Sequence, residues 1–168
     1  MKINSFNNFI IRLNPFVFVL VFLLLSIIIT LPLFFGFDTE GKNYNDIAEM
    51  FRKCGIVFFF FVTVIFMPLF ETLVFQGAII EIIRANTKTP YLKFYSSIFF
   101  SSLIFSLFHC YNLIYFIEAF LGGLVLATAY YYSIYRKESA VLLITIIHGT
   151  RNLIPFVFEL IEKHSVSG

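Results

Sequence analysis

The stretch FVFVLVFLLLSIIITLPLFFGF, residues 16–37, runs for 22 residues without a charged side chain. A helix needs about 20 predominantly apolar residues to cross the hydrocarbon core of a bilayer, so this stretch is predicted to span a membrane. A cleaved signal peptide would have a shorter apolar core followed by a small-residue cleavage site. Asp38, Thr39 and Glu40 supply no such site, and we therefore expect the helix to be retained.

The whole chain has the composition of a membrane protein. Hydrophobic residues make up 60% of its 168 residues, charged residues make up 13%, and the mean hydropathy is +0.90. In soluble globular proteins roughly a quarter of the residues are charged. The sequence therefore predicts an all-α polytopic membrane helix bundle with about five transmembrane helices.

The predicted organisation is a leader of residues 1–15 followed by a single integral membrane domain of residues 16–168. The second predicted span is longer than a bilayer needs and has Pro68 in its middle, which indicates a kink, a tilt or a helix that continues beyond the membrane. Polar connections are expected at residues 38–53 and 84–95, and a tight turn is expected near Glu118. After the first apolar run, the four further predicted spans are approximately residues 54–84, 96–117, 118–135 and 140–162.

The distribution of basic residues predicts the orientation. Counted on alternate sides of the five spans, seven Lys and Arg residues lie on the side of the N-terminus and four on the other. Cytoplasmic loops carry the excess of Lys and Arg, so a cytoplasmic leader is expected. The net charge of +2 and the scattered basic residues do not favour a nucleic-acid surface.

Cysteine usage gives no further site. Cys54 is placed near the start of the second span and Cys110 inside the third. Neither a disulfide framework nor a CxxC metal site is supported by two such cysteines. Both are interpreted as small apolar residues.

Three polar clusters interrupt the apolar spans. They are Glu71 in MPLFETLVFQG, His109 in FSLFHCYN, and His148 with Asn152 in IIHGTRN. Ionisable side chains at membrane depth cost at least a few kcal/mol each, so they face the bundle interior and mark functional sites. Together these residues predict a catalytic site inside the membrane.

Counting along the helices places the clusters in one layer. At about 1.5 Å per residue, Glu71 lies roughly 18 Å and His109 roughly 20 Å from the cytoplasmic ends of their predicted helices. On the last helix, His148 lies roughly 12 Å and Asn152 roughly 18 Å from the same side. Gln76 is about 140° around the helix from Glu71, so it is expected to point elsewhere or to bond along its own helix.

This set of side chains is suited to hydrolysis of an amide. A carboxylate and an imidazole from neighbouring helices can deprotonate a water molecule, while a second imidazole and an amide donate to the developing oxyanion. A zinc site made of Glu71, His109 and His148 is an alternative that uses the same residues. The sequence leaves both open, because no HExxH spacing is present.

The same residues resemble the motifs of the CPBP family, the CAAX-protease and bacteriocin-processing intramembrane proteases, also called Abi proteins. The family pattern P-x-x-E-E-x-x-x-R-G is similar to Pro68–Gly77, its F-x-x-x-H to Phe105–His109, and its H-x-x-x-N to His148–Asn152. The resemblance covers a core of about residues 56–160. Two positions depart from the pattern, since Thr72 replaces the second Glu and Gln76 replaces the Arg.

The resemblance implies an intramembrane endopeptidase in a bacterial cell membrane. Its substrates would be membrane-associated or prenylated peptides or bacteriocin precursors. Glu71 and His109 would activate the hydrolytic water, and His148 with Asn152 would stabilise the oxyanion or help to bind zinc. Supporting residues implied by the motifs are Thr72, Phe75, Gln76 and Phe105.

Two other functions stay open at this point. The departures at Thr72 and Gln76 are compatible with a non-catalytic relative that acts in bacteriocin self-immunity by binding a membrane partner. A proton-coupled carrier is the third possibility, because buried Glu and His side chains also form proton relays. A carrier is disfavoured, since no internal repeat with broken helices is seen.

Overall fold

The structure is a computed structural model that describes residues 5–36, 53, 55–110 and 112–166. Within these ranges every regular element is a helix and no strand is present, so the predicted fold class is correct. The predicted polar connection at residues 38–53, apart from Lys53, lies outside the described residues, as does Cys54.

Six helices build the described part of the chain. They are α1 Ser5–Arg12, α2 Pro15–Gly36, α3 Ile56–Asn86, α4 Pro90–Phe108, α5 Leu113–Ser133 and α6 Ala140–Val166. All but α1 are long and apolar enough to cross a membrane. The prediction of about five spans is therefore confirmed, and many large apolar side chains on their outer faces are exposed, as lipid contact requires.

The predicted bounds of the third and fourth spans were wrong. The third was placed at residues 96–117, whereas α4 begins at Pro90 and ends at Phe108. Proline is favoured at the first helical position because its missing N–H has no partner there in any case. The next helix begins after Asn112, whose Oδ1 accepts from the N–H of Tyr115 at 2.8 Å.

These bounds move the turn and two residues of interest. The connection between α4 and α5 lies at residues 109–112 and not near Glu118, so His109 and Cys110 lie in this turn and not inside a span. His109 is 19 residues beyond Pro90, about 28 Å along the helix axis, and the count that placed it at roughly 20 Å was wrong. Cys110 is exposed.

The long helix α3 changes its hydrogen-bond pattern around Pro68. The segment Phe61–Phe66 before the proline and the segment Thr72–Ala78 after it are π-helical, and the N–H of Met67 bonds to the carbonyl of Val62, five residues back. Such wider turns accommodate a residue that lacks an N–H. The π-helical turns thus lie on both sides of Pro68, and the kink or tilt expected there stays a prediction.

The first membrane helix packs on the last two. Contacts of α2 with α5 and α6 bury a central group of side chains from all three helices: Phe18, Phe22, Leu126, Ala127, Ile144 and Ile147. Burial of an apolar side chain of this size stabilises a fold by about 1.5–3 kcal/mol in water. Inside lipid the gain comes mainly from close packing.

The predicted leader contains α1, which is attached to the bundle by the end of α5 and the loop after it. The hydroxyl of Tyr132 donates to Oδ1 of Asn7 at 3.0 Å. Arg136 donates to the carbonyls of Ile11 at 2.8 Å and Leu13 at 2.7 Å, and its guanidinium lies over the ring of Phe18. The leader is therefore part of the packed structure.

Small residues bring α4 close to its neighbours. The hydroxyl of Ser101 donates to the carbonyl of Phe75 on α3 at 2.8 Å. On α5, a Cβ at Gly123 would lie 3.2 Å from the Cα of Ser102 and 3.2 Å from the ring of Phe105. Glycine at this position therefore lets α5 approach α4 at the level of Phe105.

Candidate active site

Glu71 lies inside the bundle on α3 and faces two imidazoles. Its Oε1 is 3.6 Å from Nε2 of His109, and its Oε2 is 3.4 Å from Nε2 of His148. Each carboxylate oxygen therefore has its own imidazole neighbour. Glu71 is only 8% exposed. The structure thus brings together three of the four residues that the sequence predicted as catalytic.

The tautomer of His109 follows from its second contact. Its Nδ1 is 2.8 Å from the carbonyl of Phe105, and a carbonyl only accepts, so Nδ1 carries the proton and donates it. In the neutral ring Nε2 then presents a lone pair towards Glu71. Burial lowers the pKa of His109, but the Glu71 carboxylate and the Phe105 carbonyl raise it, and the net effect is a pKa above the ordinary 6.5.

His148 is the more enclosed imidazole. The residue is 3% exposed, and its buried Nδ1 has no hydrogen-bond partner among the described residues. A proton on Nε2 would face the carboxylate of Glu71, whereas a proton on Nδ1 would be left unpaired in the interior at a cost of about 1–3 kcal/mol. We therefore assign the proton to Nε2, which makes His148 a donor at the site.

The side chain of Phe105 lies against both imidazole rings. The ring centroid of Phe105 is 4.3 Å from that of His109 and 5.8 Å from that of His148. Phe75 packs edge-on against Phe105 at 5.5 Å. Both phenylalanines were predicted as supporting residues, and they form an apolar surface beside the two imidazoles.

Asn152, the fourth predicted catalytic residue, is engaged elsewhere. Its Nδ2 donates to the backbone carbonyl of Thr63 on α3 at 3.1 Å. No hydrogen bond joins it to Glu71 or His148 in the described part of the chain. It shares a face of α6 with His148, as the spacing of four predicts, but its amide is directed to the neighbouring helix.

The two supporting positions that depart from the family pattern are buried. Within the part of the chain that the structure describes, the hydroxyl of Thr72 and both amide atoms of Gln76 have no hydrogen-bond partner. A hydrogen bond of Gln76 along its own helix, which was one of the two expected alternatives, is therefore not formed among the described residues. In the π-helical segment that follows Glu71, residues five apart lie more nearly above one another than in an α-helix, so the angle computed for an α-helix does not apply.

An ion pair that sequence reasoning did not predict lies on the same helix as His148. Nη2 of Arg151 donates to Oε1 of Glu118 on α5 at 2.9 Å. Its guanidinium fills the space over Gly122, where a Cβ would lie 2.5 Å from Nη1. The glycine at position 122 was the feature of the sequence that could have indicated room for the Arg151 side chain.

The predicted zinc ligands do not form a metal-binding group here. Among the residues that the structure describes, no three His, Cys, Asp or Glu side chains are arranged to hold one ion. Zinc binding by Glu71, His109 and His148 stays a prediction from the sequence.

A protein-family model matches the part of the chain that contains this site. The model for Rce1-like type II CAAX prenyl endopeptidases matches residues 53–154, more than half of the chain, and the match includes Glu71, His109, His148 and Asn152. The chain belongs to this family. Neither a curated protein nor a solved structure matches it.

Family membership decides the general class of the protein. With five helices able to span a membrane, the chain is an integral membrane protein of a protease family whose partners are the lipid bilayer and peptides. The suspected CPBP resemblance is thereby confirmed. The matched region begins near the start of α3 and ends inside α6, so α1 and α2 lie outside it.

Proposed function

We propose that this chain is an intramembrane endopeptidase that hydrolyses peptide bonds with a water molecule activated between Glu71 and His109. The observation that supports it most strongly is the placement of one buried carboxylate between two imidazoles from two other parts of the bundle. In a chain of this family, a buried acid with two imidazole neighbours suits proton transfer better than helix packing.

The proposed first step is attack of water on the peptide carbonyl carbon. Glu71 Oε1 and His109 Nε2, 3.6 Å apart, both present acceptors, and a water molecule within reach of both can lose a proton to the carboxylate. A carbon–oxygen bond forms as the carbonyl π electrons move to oxygen. The imidazole of His109 orients the water and shares the proton.

The second part of the proposal concerns the negative charge on the substrate oxygen. His148 carries a proton on Nε2 and can donate it as a hydrogen bond to the oxyanion. When the tetrahedral intermediate collapses, the carbon–nitrogen bond breaks and the proton held by Glu71 passes to the leaving amine. The carboxylate is then restored.

Accessibility supports entry of substrate at the His109 end of the site. The His109 side chain is 18% exposed, against 4% for His148, and it belongs to the turn between α4 and α5. We therefore infer that a membrane-associated peptide approaches along this turn. Three spans precede this turn, so an N-terminus on the cytoplasmic side, as the basic residues predict, places the turn on the opposite side of the membrane, where a bacteriocin precursor would present such a peptide. A cytoplasmic prenylated tail would reach the turn only in the reverse orientation.

The test is cleavage of a library of lipid-modified and unmodified peptides by the purified protein in liposomes. We expect cleavage by the wild type and its loss in both Glu71→Ala and His148→Ala. Addition of a chelator distinguishes the zinc alternative, which predicts loss of cleavage, from the carboxylate mechanism, which predicts none. The matched control is Glu81→Ala, which removes an exposed carboxylate from the same helix.

A second candidate function is supported by the buried pair Thr72 and Gln76. A chain that binds a membrane partner in self-immunity needs no charged support beside Glu71, and neither residue supplies any. This alternative predicts no cleavage by the wild type. It also predicts that Thr72→Glu combined with Gln76→Arg creates activity, whereas an enzyme that is already active should lose activity when two charges enter this enclosed space.

A further inference from the structure

Pro68 deprives α3 of one backbone N–H at the level of the carbonyls of residues 63 and 64. In an α-helix residue 68 would donate to residue 64, and in the five-residue pattern shown by Met67 and Val62 it would donate to residue 63. Proline has no N–H, and its ring crowds the carbonyl four residues earlier. At this turn α3 therefore needs a donor or free space from a neighbouring helix.

Helix α6 supplies a donor to one of these carbonyls and space for the other. Nδ2 of Asn152 donates to the Thr63 carbonyl at 3.1 Å. One turn earlier, Gly149 leaves room for the Val64 carbonyl, because a Cβ at this glycine would lie only 2.3 Å from that oxygen. The carbonyls of residues 63 and 64, which are the two possible acceptors of the missing N–H, thus both lie against α6.

The position of this contact relates it to the site. Pro68 lies three residues before Glu71, and Asn152 lies four residues after His148, about one helical turn in each case. The contact therefore joins the same two helices that carry the carboxylate and the donor imidazole. A shift of α6 along α3 would change the 3.4 Å separation of Glu71 Oε2 and His148 Nε2.

We propose that Asn152 is a positioning residue whose amide replaces the N–H that Pro68 lacks, and that this contact sets the distance between His148 and Glu71. The inference rests on the proposed function for its catalytic meaning, while the contact itself does not. It differs from the role expected from the sequence, in which Asn152 donates to the substrate oxyanion. A positioning residue acts through His148 and need not touch substrate.

The test is a double-mutant cycle of Asn152→Ala and Pro68→Ala. Asn152→Ala removes the donor to Thr63, and Pro68→Ala returns a backbone N–H that can reach the same carbonyl. We expect Asn152→Ala to lower kcat about 100-fold with little change in KM, since a displacement of about 1 Å has that effect. In the Pro68→Ala background the loss should be at least tenfold smaller. If Asn152 donates to the oxyanion, the loss will be the same in both backgrounds, and the proposal is overturned.

A matched control and a second readout keep the outcomes separate. Pro32 lies inside α2, and Pro32→Ala should not reduce the loss caused by Asn152→Ala. The second readout is the ¹⁵N NMR signal of the His148 ring in detergent, which should move in Asn152→Ala and return in the double variant. The NMR part of the cycle can be measured even if the wild type cleaves no peptide. Failure of the proposed function is therefore distinguishable from failure of the contact. An unmoved signal would overturn the proposal, and Asn152→Leu replaces Asn152→Ala if the latter does not fold.

Discussion

Glu71 Oε2 lies 3.4 Å from His148 Nε2, although the two residues belong to helices at opposite ends of the family-matched region. The contact joins α3 to α6, and His109 adds the turn after α4 on the other oxygen. The site therefore depends on how closely these helices pack. Substitutions that disturb this packing should therefore change the thermal midpoint or the cleavage rate.

The packing of α6 on α3 should not tolerate a methyl group at Gly149. A Cβ there would meet the Val64 carbonyl at 2.3 Å, and backbone cannot move aside cheaply. We expect Gly149→Ala to lower the thermal midpoint in detergent and to lower peptide cleavage. The control is Gly122→Ala, whose Cβ would lie 2.5 Å from Nη1 of Arg151. Because that atom ends a flexible side chain, Gly122→Ala should be the milder change, and equal losses would contradict this reasoning.

Attachment of α1 should depend on Arg136. Its guanidinium donates to the carbonyls of Ile11 and Leu13, and hydrogen bonds of charged groups contribute about 1.5–3 kcal/mol each. We expect Arg136→Met to destabilise the fold by about 2 kcal/mol, measured by thermal unfolding in detergent. Arg136→Lys should not restore the loss, because an ammonium cannot reproduce the planar fork. The neighbouring exposed Lys137 serves as control, and a similar effect of Lys137→Met would argue against the assignment.

The buried polar groups of Thr72 and Gln76 should reduce stability. In the described ranges neither group has a hydrogen-bond partner, and an unsatisfied buried group costs about 1–3 kcal/mol. Thr72→Val and Gln76→Met keep the side-chain volume while removing these groups, so the thermal midpoint should rise in both. Thr72→Ser keeps the hydroxyl and should show no rise. A fall of the midpoint in Gln76→Met would mean that the amide has a partner in the membrane-embedded protein.

The number of spans and the meeting of the three ionisable residues could be predicted from the sequence, because hydrophobic length and the cost of burying charge are properties of local composition. The bounds of α4 and α5 were missed although Pro90 and Asn112 carried the signal. Proline was interpreted as a breaker and not as the first helical residue. Because α4 begins six residues earlier than predicted and ends at Phe108, His109 lies in the turn that follows the helix.

The partners of the longer polar side chains could not be predicted. Arg151 reaches Glu118 because Gly122 leaves space on α5, and Asn152 reaches Thr63 because Pro68 changes the hydrogen-bond pattern of α3. Both depend on how two helices approach each other. Spacing within one helix contains no information about the neighbouring backbone.

Cleavage should decline at acid pH because His109 becomes protonated. The pKa of His109 is raised above the ordinary 6.5, chiefly because the Glu71 carboxylate and the Phe105 carbonyl outweigh the effect of burial. Below that raised pKa the ring is protonated at Nε2 and cannot accept from water, so the rate falls as the pH is lowered. A pH profile of kcat/KM should place this decline above pH 6.5. A decline confined to pH values below 6.5 would exclude neutral His109 as the accepting group.

The proposed mechanism depends most on the carboxylate of Glu71. The most direct measurement is therefore the cleavage rate of one peptide in liposomes by the wild type and by Glu71→Gln. The amide keeps the size of the side chain but cannot take a proton from water. We expect a loss of about 100-fold or more with the thermal midpoint preserved, while Glu81→Gln on the same helix leaves the rate unchanged. A Glu71→Gln protein that is folded and cleaves as fast as the wild type would contradict the mechanism.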